Sequence, residues 1–259
     1  TPILGVLGII EDAECALGSA FRNEGDAIVL LDAAVASGAK AQEHSEGVMS
    51  DLKVRPPENQ NVPSATRAAA AASQTARLKP CPDETASSGE LTREFSSSEY
   101  AKVIQGVVAG EPPTIDLDAE KRLIDCLVDL AGEKAILSAH DVSDGGLAVT
   151  LAESCFGSDG LSAEVKITSE ESAEYALFGE RGTRAVVSAS PALLARVNAI
   201  AAQYNVSASR IGTVTRGEFR IECGSAQPGV AVPQAAVIRG EIDSFRKPWA
   251  ESLSNALES

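Results

Sequence analysis

Short apolar runs separated by polar turns recur along the chain, in two periods. Residues 3–10, ILGVLGII, are apolar and β-branched and predict a buried strand. AIVLL (27–31), after a Gly-Asp turn, predicts a second. Between residues 33 and 93 the pattern fails: Ala, Ser, Pro and charge dominate, with few large apolar side chains. Within it ATRAAAAASQTARL (65–78) has helical propensity but almost no apolar stripe, so 33–93 is expected to be a low-complexity insertion, disordered or loosely packed. Order returns at 95–110, followed by a Pro-Pro turn. A helix is then predicted over 116–133, with Asp capping candidates, Leu123, Leu127 and Leu130 at helical spacing, and Gly132 at its end. Strands follow at 134–140, 161–167 and 183–190, and a helix at 145–156. Ser190 and Pro191 have the order of an N-cap and first turn for a helix over 191–205, with Leu194, Val197, Ile200 and Ala201 on one face. Residues 208–215 and 218–223 predict a hairpin about Arg216-Gly217, and 245–257 a short helix that packs Trp249. The fold class is therefore α/β (α+β), a mixed sheet with packed helices and one long insertion.

Composition changes this picture by exclusion. With 259 residues the chain can form one large or two small domains with a substantial core. A formal net charge of −15 argues against a nucleic-acid surface, which needs clustered Lys and Arg, and against an anionic membrane as partner. No run approaches the roughly 18 apolar residues of a membrane span. The opening TPILGVLGIIEDAEC lacks the basic region of a signal peptide, and with no initiator Met it predicts a piece of a longer polypeptide. Five scattered cysteines (Cys15, Cys81, Cys126, Cys155 and Cys223) predict reduced, structural thiols in a cytoplasmic protein. His44 lies in the insertion among acidic residues, where a metal role is not expected.

The stretch with candidate chemistry is AILSAHDVSDGGLAVTLAESC (135–155). A strand end, a turn with two glycines and a helix start together bring backbone N–H groups and the positive end of a helix dipole to one place. Gly145 and Gly146 would let a phosphate approach the backbone. Asp141 and Asp144 suit that setting if a Mg²⁺ bridges carboxylate and phosphate oxygens, while Ser143 can donate to a phosphate oxygen. Spacing alone leaves a second reading open, in which Asp141, Ser143 or Asp144 caps the helix and the glycines only ease the turn. His140 alone is expected to be a hydrogen-bonded structural histidine.

HDVSDGGLAVTLAE resembles a signature of the synthetase half of the formylglycinamide ribonucleotide amidotransferases, the phosphoribosylformylglycinamidine synthase family. Further pieces follow in that family's order. TPILGVLGIIEDA is similar to P-T-P-V-V-G-V-V-G-L-L-E-D, EGDAIVLLD to G-D-x-I-x-L-L-G, and SSSEYAKVIQGVVAG to a G-G-S-E-Y stretch, with Ser96-Ser97 in place of Gly-Gly. LFGERGTRAVVS resembles L-F-G-E-x-x-x-R, and RIGTVT resembles I-G-x-V. The resemblance covers residues 1–32 and 94–259.

The resemblance implies a duplicated synthetase of two-domain halves. Residues 1–12 would be the terminal strand of a preceding ATP-binding A domain, and 13–259 an AIR-synthase-like C-terminal (B) domain. The implied reaction is ATP-dependent conversion of formylglycinamide ribonucleotide to the amidine with glutamine-derived ammonia, the ammonia displacing phosphate from an activated formamide oxygen. Asp141 would bind Mg²⁺. Ser143, Gly145 and Gly146 would contact ATP or ADP at an auxiliary site. No catalytic residue is implied here, since the catalytic histidine and the ATP lysine belong to earlier domains, so the chain alone is expected to be inactive. The implied partners are the preceding A/B synthetase domains and a glutaminase domain or subunit. Arg181-Gly182 stand where the substrate-binding first half carries Ser-Gln. The alternatives are a non-catalytic, stand-alone B domain that binds a partner, and another enzyme of the same superfold of hydrogenase-maturation or selenophosphate type.

Overall fold

A computed structural model of the chain describes residues 12–13, 16–34, 95, 98–108, 113–169, 172–225 and 236–258. The strand expected at 3–10, the stretch of helical propensity at 65–78, nearly all of the 33–93 insertion, His44, Cys15 and Cys81 lie outside the described residues. The order of elements is β1 (Ala27–Asp32), α1 (Glu99–Ile104), α2 (Leu117–Gly132), β2 (Ser138–Asp141), α3 (Gly146–Phe156), β3 (Ser162–Ser169), α4 (Ala173–Phe178) and β4 (Arg184–Ala189). A 3-10 turn (Pro191–Leu193) then leads into α5 (Leu194–Gln203), β5 (Ser207–Thr215), β6 (Glu218–Ser225), β7 (Ala236–Glu241) and α6 (Ile242–Glu258). The described strands form one sheet in the order β2-β4-β1-β5-β3-β6-β7. Every neighbouring pair is antiparallel except β3 and β6.

Alternation along the central strands sends side chains to two cores. Ile28 and Val186 enter one core, with Leu147, Leu151 and Cys155 of α3, Leu177 of α4, and Phe219 and Ile221 of β6. Phe245 of α6 packs on its margin. Val29, Leu31, Ala185, Val187 and Ala189 enter the other, against Leu123, Cys126 and Leu130 of α2 and Val197, Ile200 and Ala201 of α5. The buried stripe of α2 runs Ala119-Leu123-Cys126-Leu130, so Cys126 takes the place expected for Leu127, which packs at its margin. Asp116 caps this helix by accepting from the Asp118 and Ala119 N–H groups. Beyond β5 the second face changes character: Glu222 pairs there with both Lys166 and Arg220.

The expected hairpin between 208–215 and 218–223 does not form. Both strands exist, but β3 lies between them, pairing antiparallel with β5 and parallel with β6. The Arg216-Gly217 turn steps over the start of β3, and the Arg216 guanidinium donates to the Asp159 carbonyl at 3.0 Å. Apolar alternation reports that a strand has a buried face, not which strand it pairs with. Three elements had no forecast, α1, α4 and β7. Trp249 of α6 meets Phe156, with ring centroids 5.3 Å apart, yet stays 54% exposed. No helix among the described residues is long and apolar enough to cross a membrane.

Cys126, Cys155 and Cys223 are buried free thiols. Burial pushes Cys155 up to about 12 and Cys126 up to about 11. At pH 8 both stay protonated, and the thiol is the unreactive form. Iodoacetamide at pH 8, with sites mapped by mass spectrometry, is therefore expected to spare Cys126 and Cys155 in the native protein and to modify both once the chain is unfolded in denaturant.

Candidate functional site

The last residues of β1 and β2 and the first of β4 share one end of the sheet, because Asp32 pairs with Arg184 and Asp141 with Ala185. A cleft of about 530 Å³ opens there. Leu123, Ile124 and Leu127 of α2 form an apolar wall, and Glu120, residues 139–144, Glu180 and 182–185 line the rest, bringing most of its polar side chains. Asp141, Ser143 and Asp144 are exposed, with the Asp141 side chain 76% accessible. His140 is 15% accessible. Its Nδ1 lies 2.9 Å from the Asp141 carbonyl oxygen and its Nε2 3.4 Å from Glu153 Oε2. Glu153 in turn accepts from Trp249 Nε1 at 2.8 Å, so α6 reaches the site through one carboxylate.

The turn itself is closed from within. Gly145 and Gly146 have φ of 78° and 67°, the left-handed region that favours glycine. The Gly145 N–H donates to Glu180 Oε1 at 2.8 Å, and the Gly146 N–H to the Ser143 carbonyl at 2.9 Å. Both groups that a phosphate could have met are thus engaged inside the protein. A Cβ on Gly146 would sit 2.7 Å from the Phe178 backbone and 2.9 Å from the Gly179 oxygen. That glycine lets the start of α3 pack on the chain leaving α4. Gly145, which has no side chain, is the N-cap of α3, so none of Asp141, Ser143 and Asp144 takes the N-cap position.

The loop before β4 is held by charged side chains. Glu180 Oε1 also accepts from the Glu99 N–H at 2.8 Å, joining α1 to the turn. Glu120 of α2 accepts from the Thr183 N–H at 2.8 Å. Thr183 has φ of 62°, a costly conformation for a β-branched residue, of order 1–3 kcal/mol. The buried Arg184 donates to the Gly179 carbonyl at 2.6 Å, and Arg181 forms a two-pronged pair with Asp32. No role was expected of Glu180 in this chain; its sequence signals are its place in LFGERG and its match, by the resemblance, to the Glu of Glu-Ser-Gln in the substrate-binding half.

Among the described residues no three His, Cys, Asp or Glu side chains are grouped so as to hold a metal by themselves. The exposed oxygens of Asp141 and Asp144 nonetheless suit Mg²⁺, which commonly takes one or two carboxylates and completes its shell with phosphate and water. Thus the site brings Asp141 and Ser143 to one cleft with side chains available, and commits the glycines to packing.

A family model described as AIR synthase related protein, C-terminal domain, matches residues 85–224. Phosphoribosylformylglycinamidine synthase subunit PurL of Thermobifida fusca is 34% identical over 214 residues, 83% of this chain and 20% of that protein. The Moorella thermoacetica subunit of the same name is 27% identical over 253 residues, 98% of this chain and 25% of that protein. The chain thus spans a fifth to a quarter of the length of these curated relatives. Thermotoga maritima PurL complexed with FGAR has a TM-score of 0.55 at 14% identity, over 90% of this chain and 30% of that one. The same protein complexed with ADP has a TM-score of 0.50 at 13% identity, over 90% and 27%. The mixed sheet with packed helices is therefore the AIR-synthase-like fold expected from the sequence.

Replacing Gly146 by Ala combines a 2.7 Å backbone clash with a left-handed φ. Melting curves of G146A are expected to show a loss of about 2–4 kcal/mol. Gly217 also has positive φ but open space around it, so G217A meets backbone strain alone, about 1–3 kcal/mol, and is expected to lose less than G146A.

Proposed function

We propose, because the chain belongs to the AIR synthase related protein family, C-terminal domain, that it serves as the C-terminal domain of a phosphoribosylformylglycinamidine synthase of de novo purine biosynthesis. The parent reaction is the ATP-dependent conversion of formylglycinamide ribonucleotide to formylglycinamidine ribonucleotide with glutamine-derived ammonia. The likeness to PurL subunits of two bacteria supports this reading. In it the chain supplies a Mg–nucleotide cleft and a domain surface, but no catalytic residue. Turnover then requires the preceding A/B synthetase domains and a glutaminase domain or subunit.

The observation that carries the cleft's role is the exposed Asp141 carboxylate beside Ser143 at the strand ends. Asp141 would hold Mg²⁺, and Ser143 would donate to a nucleotide phosphate. Bound there, Mg²⁺ would supply positive charge that neutralises the phosphates. Gly145 and Gly146 would contribute a surface without side chains, their N–H groups being donated elsewhere. Leu123, Ile124 and Leu127 offer an apolar wall to the rest of the ligand. The pairing of Arg181 with Asp32 supports an absence of substrate contact at that position.

The test is Asp141→Asn in the native polypeptide, followed by thermal unfolding with and without Mg–ADP. A tenfold loss of affinity lowers ligand-dependent stabilisation at saturation by about 1.4 kcal/mol. The expected outcome is a loss of at least that size, with the unliganded melting temperature unchanged, because no cap is removed. Equal losses with and without ligand would overturn the metal role of Asp141.

A further inference from the structure

We propose that Glu180 is the positioning residue of the cleft: its carboxylate sets the shape of the 141–146 turn and thereby the affinity of Asp141 and Ser143 for their ligand. This deepens the Mg–nucleotide reading given above and rests on it. A single oxygen, Oε1, accepts from two backbone N–H groups at 2.8 Å each. One belongs to Gly145, directly after Asp144, and the other to Glu99, the first residue of α1. Those positions are 35 and 81 residues from Glu180 in sequence, so three separate stretches of chain meet at one atom.

The rest of the loop is arranged to keep Glu180 in that position. Arg181 is anchored to Asp32, the Thr183 N–H to Glu120, and the Gly179 carbonyl to Arg184. A Cβ at Gly182 would lie 2.5 Å from Glu120 Oε1, so the glycine lets that carboxylate in. Behind the turn, Gly146 rests against the Phe178 backbone. The turn is thus held on one side by a backbone contact and on the other by the Glu180 hydrogen bonds. An ionised acceptor forms hydrogen bonds about twice as strong as a neutral one. Without Glu180, the Gly145 N–H loses its partner beside two exposed carboxylates, and the turn loses the bond that fixes Asp144 and its neighbours. Glu180 needs no contact with the ligand to act in this way.

Three variants in the native polypeptide separate bracing from charge. Gln keeps an oxygen in place without the charge, Asp keeps the charge but withdraws the oxygen, and Ala removes both. With Mg–ADP as the probe in titration calorimetry, E180A and E180D are expected to weaken binding by about tenfold or more, as loss of a supporting partner commonly does. E180Q is expected to stay within about threefold of the original protein, since both hydrogen bonds persist, with a neutral acceptor in place of a charged one. Acetate at millimolar to molar levels is expected to restore binding to E180A and to leave the unsubstituted protein unchanged. An unchanged affinity in E180A overturns the proposal. So does a loss in E180Q as large as in E180A, which would mean charge rather than bracing. Hydrogen exchange over residues 98–104 and 141–147 provides an independent readout. Faster exchange of both segments in E180A but not in E180Q is expected, and unchanged exchange overturns the brace. If the unsubstituted protein binds no Mg–ADP, the nucleotide reading fails and the exchange result alone decides whether Glu180 braces the turn.

Discussion

Neither β1 nor β4 has a face in water. Every residue of β4 is buried, and Ile28 and Val29, consecutive in β1, point into different cores. Backbone pairing satisfies such strands along their edges, but two-sided burial requires a helix layer on each face. That requirement accounts for α2 and α5 on one side and α3 and α4 on the other. Where it lapses, beyond β5, the second face is occupied by Lys166, Arg220 and Glu222, and the sheet needs no further cover there. Fully burying a Val, Leu or Ile contributes about 1.5–3 kcal/mol, and the central strands gain it on both faces.

The position of the cleft follows from those strands. Antiparallel pairing puts the ends of β1 and β2 beside the start of β4, so the residues just outside the sheet are brought together without contacts of their own. Asp32, Asp141 and Arg184 are the last or first residues of their strands. Helix α2, fixed by its buried stripe, then presents Glu120 to Thr183 and Leu123 to the cleft. The strained Thr183 backbone persists because its N–H is held by Glu120 and its carbonyl accepts from Ala33, at the end of β1. A rigid sheet thus carries a loop whose own conformation would be costly.

Much of this was legible from residue pattern, and the gaps have physical causes. The strands about 27–31, 183–190 and 208–223 and the helices at 116–133, 145–156 and 191–205 announce themselves because burial imposes a period on the sequence. Pairing does not leave such a mark, and so β3 could come between β5 and β6 unseen. β7 has no buried residue, and α1 and α4 bury one each, so none of them leaves a clear apolar period. Asp141, Ser143 and the two glycines were visible as a group because they are adjacent in sequence. The partners that decide what the glycines do, Glu180 for one and Phe178 for the other, lie over 30 residues away. A glycine shows that something comes close to the backbone, and only the fold shows what.

The distribution of carboxylates gives the cleft a negative rim. Glu120 and Glu180 turn inward and accept from backbone N–H groups, while Asp141 and Asp144 remain exposed. The inner pair uses the donors that could have drawn an anion, and the outer pair presents negative charge to anything entering. At an effective dielectric constant of about 20, a phosphate oxygen 4 Å from one such carboxylate meets about 4 kcal/mol of repulsion. A cation placed between them reverses the sign of that interaction, and the same carboxylates then attract the complex that they repel in its metal-free form. Glu180 bonds the turn from which Asp141 and Asp144 project, so on the proposed reading the shape of the site and its charge toward a cation-bound ligand share one carboxylate.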